Sequence, residues 1–80
     1  MYDILLSLTE IFREILDNEH IVLETNTTAD DIEEWDSLTH VLLIDAVENR
    51  FGIRFTSSEI MGFKNIGDMI EKISDRTKRR

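Results

Sequence analysis

Apolar residues recur along this chain at helical spacing, in three long segments and one short segment. In the first segment the spacing places them on one face of a helix that covers about residues 2–17. This face consists of Ile4, Leu5, Leu8, Ile11, Phe12, Ile15 and Leu16. A second helix is predicted from Asp36 to about Arg50, because aspartate favours the N-cap position and Gly52 favours a stop. Its predicted inward face consists of Val41, Leu43, Ile44, Val47 and Phe51.

Two further helical segments follow in the last third of the chain. The stretch Thr56-Ser57-Ser58-Glu59 matches a capping box and predicts a short helix that ends near residue 62. Its expected inward residues are Ile60, Met61 and Phe63. A final helix is predicted from Asn65, with Ile66, Met69, Ile70 and Ile73 on its apolar side. The predicted fold is therefore all-α: a small four-helix bundle of three main helices and one short helix, with both Met61 and Met69 in the core.

A long connection, residues 18–36, separates the first two helices. Its apolar anchors are Ile21, Val22, Leu23, Ile32 and Trp35. Structureless connections of this length are uncommon in compact domains, so we expect an ordered loop with a helical turn after Thr28. His20 lies in this loop without partner ligands at metal-binding spacing, so we predict an exposed side chain and no metal site.

Composition narrows the class of protein. The 80 residues predict one domain, 1–80, and the absence of cysteine means that any thiol chemistry needs an added cofactor. The formal net charge of −8 disfavours nucleic acid and favours partners with basic patches. Basic residues concentrate late in the chain, and we expect residues 76–80 to form a flexible basic tail. No apolar run reaches the about 20 residues of a membrane span and no signal peptide is evident, so we expect a cytoplasmic monomer.

Ser37 stands at the predicted start of the second helix, and the residues alone leave two interpretations of it open. It is either an ordinary first-turn residue or the acceptor of a modification. An attached phosphate would meet unpaired amides and the positive end of the helix dipole, whereas Asp36 would repel it. A nucleophilic pair with His40 would lack an orienting acid and the glycine elbow, so no catalytic residue is predicted.

The outward side of the second helix carries Leu38 and Leu42 beside Asp45 and Asn49. Isolated exposed leucines are common and need no explanation. The other interpretation is a contact surface for another protein. Both remain open at this point.

Asp36-Ser37-Leu38 at the head of an apolar helix resembles the D-S-L site of acyl carrier proteins. The match continues at the family's spacing through Val41, residues 48–55, residues 59–60 and Ile66, and covers nearly the full chain. The resemblance implies that a phosphopantetheinyl transferase moves 4′-phosphopantetheine from coenzyme A onto Ser37. The thiol of this arm would hold acyl or aminoacyl groups as thioesters, and the protein itself would catalyse nothing.

The partners that the resemblance implies are acyl-loading, condensing or acyl-transfer enzymes with basic patches. They would belong to a lipid, polyketide or other specialised biosynthetic pathway. The alternative is a helical protein-interaction module whose serine is never modified.

The chain departs from the family's common pattern around this site. Trp35 precedes Asp36, whereas many members carry glycine shortly before D-S-L. Thr39 and Leu42 stand where acidic residues are common, Asp45 takes a commonly apolar position, and Glu48 keeps the acidic type. We therefore expect a specialised carrier rather than the housekeeping carrier of fatty acid synthesis. The residues expected to take part in partner recognition are Asp36, Leu38, Thr39, Leu42, Asp45 and Glu48.

Overall fold

The structure is a computed structural model that describes residues 3–78. In chain order its helices are α1 (Ile4–Ile15), a 3₁₀ turn (Ala29–Asp31), α2 (Ser37–Phe51), α3 (Ser57–Gly62) and α4 (Ile66–Thr77). No strand occurs within the described range. The predicted all-α class and the order of three long helices and one short helix are confirmed.

Polar side chains set where the helices begin. Asp3 Oδ1 accepts the amide of Leu6 at 3.0 Å, so α1 begins at Ile4; the predicted start at residue 2 lies outside the described residues. At the other end, α1 stops two residues earlier than predicted because Asp17 adopts a left-handed conformation with φ of 52°. The predicted capping box of α3 is present, and Asn65 caps α4.

A single apolar core lies between α1, α2, α4 and the loop that follows α1. The most deeply buried side chains are Leu8, Phe12, Leu43, Val47, Ile66, Met69 and Ile73. Helix α3 buries no residue fully and covers the edge of this core with Ile60 and Phe63. The core therefore rests on the three long helices, and α3 lies against its margin.

Three residues predicted to point inward are exposed instead. Val22 is 68% exposed because it alternates with the buried Ile21 and Leu23 along an extended segment, which turns it to the opposite side. Val41, at 63%, lies at the margin of the inward face of α2. Met61, at 86%, follows Ile60 by one position, and one residue along a helix turns the side chain away from the core.

The loop between α1 and α2 is ordered, as predicted, and it docks the start of α4. Its carbonyl groups accept the first amides of that helix, at 2.9 Å from Thr27 O to Ile66 N and 2.7 Å from Thr25 O to Gly67 N. A Cβ atom at Gly67 would lie 3.0 Å from the Thr25 carbonyl oxygen, so glycine suits this close approach. The 3₁₀ turn after Thr28 matches the expected helical turn.

The end of the chain corrects one expectation. Arg76 and Thr77 belong to α4 rather than to a flexible tail. The Arg76 guanidinium donates to Glu59 Oε1 at 2.6 Å and to the Arg54 carbonyl at 2.8 Å, and it lies over the Phe55 ring. Lys78 caps the helix, and the remaining two residues of the expected tail lie outside the described range. None of the helices in residues 3–78 is long and apolar enough to cross a membrane.

Candidate functional site

Ser37 is the first residue of α2 and its side chain is exposed. Among residues 3–78, no side chain or backbone group forms a hydrogen bond with its hydroxyl. The loop before it is held by the buried Trp35 and Ile32, so the hydroxyl projects from a fixed point on the surface. An accessible, unengaged hydroxyl on a rigid element is what a modifying enzyme requires.

Asp36 organises the first turn of α2 around this serine. Its Oδ1 accepts the amides of Leu38 and Thr39, each at 2.9 Å, and Thr39 Oγ1 accepts the Asp36 amide in return at 2.8 Å. The Thr39 amide holds the pKa of the Asp36 carboxyl below its ordinary value; partial desolvation opposes this and the Leu38 amide adds to it. Asp36 therefore stays ionised beside Ser37 at neutral pH.

The residues alone left open whether unpaired amides at the start of α2 would favour a phosphate on Ser37. The amides of Leu38 and Thr39 already bond to the Asp36 carboxylate. These two amides are therefore not free to bind a phosphate on Ser37.

A groove of about 500 Å³ lies beside Ser37, between the loop, α2 and α3. It is lined by Ala29, Trp35, Asp36, Ser37, His40, Val41, Ile60, Met61, Phe63 and Lys64. Most of these side chains are apolar, and the two charged ones are Asp36 and Lys64. The exposure of Val41 and Met61, which sequence reasoning missed, places them on the walls of this groove.

His40 does not form a catalytic pair with Ser37. Its Nδ1 accepts the Trp35 indole N–H at 3.0 Å, and its Nε2 lies 2.9 Å from the Ile60 carbonyl oxygen. Both ring nitrogens therefore have partners other than the serine. His20, the other histidine, is exposed, and no cluster of three metal-ligating side chains occurs among residues 3–78.

The residues expected to recognise partners separate into two groups. Leu38 is 79% exposed, Leu42 is 56% exposed, and Asp45 is also exposed, so these three form an outward face on α2. The others have bonds within the fold: Thr39 Oγ1 donates to the Glu34 carbonyl at 2.8 Å, and Glu48 Oε2 accepts the Phe55 amide at 2.8 Å. Asp36 and Thr39 cap α2, while Glu48 fixes the chain that follows it.

The residues at this site fit a phosphopantetheine arm. The arm needs an accessible hydroxyl for its phosphodiester, which Ser37 offers, and an apolar groove that could hold its partly apolar chain lies next to this hydroxyl. The chain contains no cysteine, so a thiol on the arm would be the sole thiol of the protein.

A small helical domain that displays a free hydroxyl at the head of α2, beside an apolar groove, has the architecture of a carrier domain. The family model described as "Phosphopantetheine attachment site" matches residues 7–73, and the chain belongs to this family. It is therefore a carrier with covalently bound 4′-phosphopantetheine, and its task is carriage rather than catalysis.

Two relatives agree with this assignment. The acyl carrier protein of Acidothermus cellulolyticus is 29% identical over 75 residues, which cover 94% of this chain and 89% of that protein. The solution NMR structure of holo acyl carrier protein from Geobacter metallireducens matches with a TM-score of 0.87 and 40% sequence identity. That match covers 94% of this chain and 86% of the other. The resemblance drawn from the D-S-L site is thereby confirmed at the level of family, fold and cofactor.

Proposed function

We propose that Ser37 is the residue that carries the phosphopantetheine arm. The observation that supports this most directly is its exposed, unengaged hydroxyl on the first turn of α2, within Asp36-Ser37-Leu38. A transferase would join the Ser37 oxygen to the pantetheine phosphate, break the pyrophosphate bond of coenzyme A and release adenosine 3′,5′-bisphosphate, while the serine proton leaves. The thiol of the arm then binds cargo as a thioester.

The test is intact mass after incubation with coenzyme A and a broad-specificity phosphopantetheinyl transferase. We expect the mass of one phosphopantetheine group on the wild-type chain and none on Ser37→Ala. Ser57→Ala is the matched control, because Ser57 is also an exposed serine at the first position of a helix, α3. Addition that survives Ser37→Ala, or that disappears in Ser57→Ala alone, would contradict the assignment.

We further propose that Leu38, Leu42 and Asp45 form the surface that partner enzymes contact directly. Asp36, Thr39 and Glu48 belong to the same recognition region, and the internal bonds of Thr39 and Glu48 shape it. The net charge of −8 supports partners with basic patches around an apolar centre. Replacing Leu42 with glutamate introduces the acidic type that is common in the family at this position. We expect this substitution to alter the rate of transfer with the cognate loading enzyme and to leave the rate of arm attachment unchanged.

The mixed apolar and acidic face of α2 supports a specialised carrier, with acyl or aminoacyl cargo for a lipid, polyketide or other dedicated pathway. A partner that reads a row of acidic side chains would meet Leu38 and Leu42 instead. The deciding measurement is the mass of the group attached to Ser37 in material isolated from its native cell. A long-chain acyl series typical of bulk fatty acid synthesis would contradict the specialised role.

A further inference from the structure

A hydrogen-bonded bridge crosses the base of the groove and joins three segments of the chain. Trp35 Nε1–H donates to His40 Nδ1 at 3.0 Å, and His40 Nε2 lies 2.9 Å from the Ile60 carbonyl oxygen. An indole nitrogen can only donate, so Nδ1 must accept and the ring proton lies on Nε2, which donates to Ile60. One neutral tautomer of His40 therefore satisfies both bonds.

The loop end of this bridge is anchored in the core. Trp35 is 6% exposed and packs edge-on against Phe12 of α1, with ring centroids 5.0 Å apart. Its ring also lies nearly parallel to the His40 imidazole, 6.0 Å between centroids. The position of His40 is thus set by a side chain that has little freedom to move.

The other end of the bridge holds α3, which has few other anchors. Carbonyl groups in the last turn of a helix lack amide donors from their own helix. Lys64, whose amide would continue the α-helical ladder to Ile60, donates instead to Asp68 Oδ2 at 3.0 Å. His40 therefore supplies a donor to a carbonyl at the end of α3. The preceding residue, Glu59, accepts from Arg76 of α4 and ties α3 to that helix.

We propose that neutral His40 is a positioning residue that holds α3 as a wall of the groove beside Ser37 and thereby fixes where the prosthetic arm lies. The proposal rests on attachment of the arm to Ser37. When the bridge is broken, the end of α3 that carries Met61 separates from Val41 on α2. The groove then opens, and the arm spends more of its time in solvent.

The experiment uses the single thiol of the arm. Each variant is loaded from coenzyme A, checked by intact mass and labelled on the thiol with an environment-sensitive maleimide fluorophore, whose quenching by acrylamide is measured. We expect His40→Leu to raise the quenching constant about twofold, which corresponds to a doubling of the solvent-exposed fraction of the arm. His40→Gln, whose amide can accept from Trp35 and donate to Ile60, should restore the wild-type value.

Two further variants separate positioning from general destabilisation. His20→Leu makes the same replacement at the exposed histidine outside the groove and should leave quenching unchanged. Trp35→Phe keeps the ring against Phe12 but removes the donor, so it should raise quenching in the same direction as His40→Leu even if the latter folds poorly. Unchanged or reduced quenching in both His40→Leu and Trp35→Phe would overturn the proposal, as would failure of His40→Gln to rescue.

The bridge is also tested without the arm, which separates this proposal from the assignment of Ser37. In the unloaded protein, His40→Leu should speed hydrogen exchange in α3 and the residues just after it, while exchange in α4 stays as in the wild type. If no variant gains the mass of the arm, the Ser37 assignment fails. Hydrogen exchange in α3 of the unloaded protein then still shows whether His40 holds this helix. If the arm attaches but exchange in α3 is unaffected, the bridge is not what holds α3.

Discussion

Helices α3 and α4 are neighbours along the chain but are held in different ways. Helix α4 is fixed by burial, since Ile66, Met69 and Ile73 have no exposed surface. Helix α3 buries no residue fully. Besides the partial burial of Ile60 and Phe63, it is tied by two polar bonds from consecutive residues, Glu59 to Arg76 and the Ile60 carbonyl to His40.

The difference separates the part of the molecule that maintains the fold from the part that borders the candidate site. Burial of a full apolar side chain contributes about 1.5–3 kcal/mol, whereas a typical hydrogen bond contributes about 0.5–1.5 kcal/mol net. Helix α3 is therefore the element expected to open at the lowest free energy. It also forms one wall of the groove beside Ser37, so opening of α3 would change the site and leave the core formed by the three long helices in place.

The largest effect is expected from the loss of buried apolar surface, and two adjacent leucines of α2 test it. Leu43 has no exposed surface and Leu42 is 56% exposed. Leu43→Ala should lower the free energy of unfolding by about 2–5 kcal/mol, because it removes buried methyl groups and leaves a cavity. Leu42→Ala should change it by no more than about 0.5 kcal/mol. Urea unfolding followed by circular dichroism measures both, and equal losses would show that the outward face also stabilises the fold.

The sequence predicted the buried faces of the core helices better than it predicted the groove beside Ser37. Helical periodicity identified the inward residues of α1 and α4, and capping residues located the helix starts, because both signals are local. The contact between His40 and Ile60 joins residues twenty positions apart, so no local pattern contains it. The exposure of Val41 and Met61 likewise depends on where α3 docks, which the periodicity of either helix leaves open.

At Ser37, too, the sequence predicted one part of the site and missed another. The D-S-L resemblance located the candidate serine, and the predicted N-cap role of Asp36 agrees with its bonds to the amides of Leu38 and Thr39; the reciprocal bond from the Asp36 amide to Thr39 Oγ1 was not predicted. That bond helps to fix the rotamer of Asp36, on which its bonds to the two amides depend.

A medium effect is expected at two glycines: Gly52, which ends the buried helix α2, and Gly62, which ends the less buried helix α3. Gly52 caps α2 with a positive φ of 65°, so Gly52→Ala should destabilise the protein by about 1 kcal/mol or more. Gly62 ends α3 in open space, where a Cβ atom would meet no heavy atom within 4 Å. Gly62→Ala should therefore stabilise the protein by up to about 1 kcal/mol through the lower entropy of the unfolded chain. Thermal unfolding distinguishes the two, and a loss of stability at Gly62 would mean that α3 needs glycine for its position.

The smallest expected effect concerns the polar tie at the start of α3 and depends on pH. The Thr56 amide, followed by the Arg76 guanidinium, holds the pKa of the Glu59 carboxyl below its ordinary value. A lowered folded-state pKa means that the unfolded chain takes up the proton first, so stability is fully present above the unfolded pKa and is lost as the pH falls through the folded pKa. Glu59→Gln should thus lower the melting temperature slightly at neutral pH, and this deficit should shrink as the solution is acidified towards about pH 3.

Glu71→Gln on α4 provides the matched control for that titration. Glu71 is exposed, and within residues 3–78 its carboxylate has no hydrogen-bond partner, so its replacement should leave no comparable deficit at neutral pH. Hydrogen exchange at neutral pH adds the local readout: Glu59→Gln should speed exchange in α3 more than in α4, because the lost bond joins the two helices but α4 keeps its buried side chains. A melting-temperature deficit that persists unchanged in acid would show that the Glu59 carboxylate is not its cause. Equal acceleration of hydrogen exchange in both helices would mean that α3 and α4 open together and do not differ in stability.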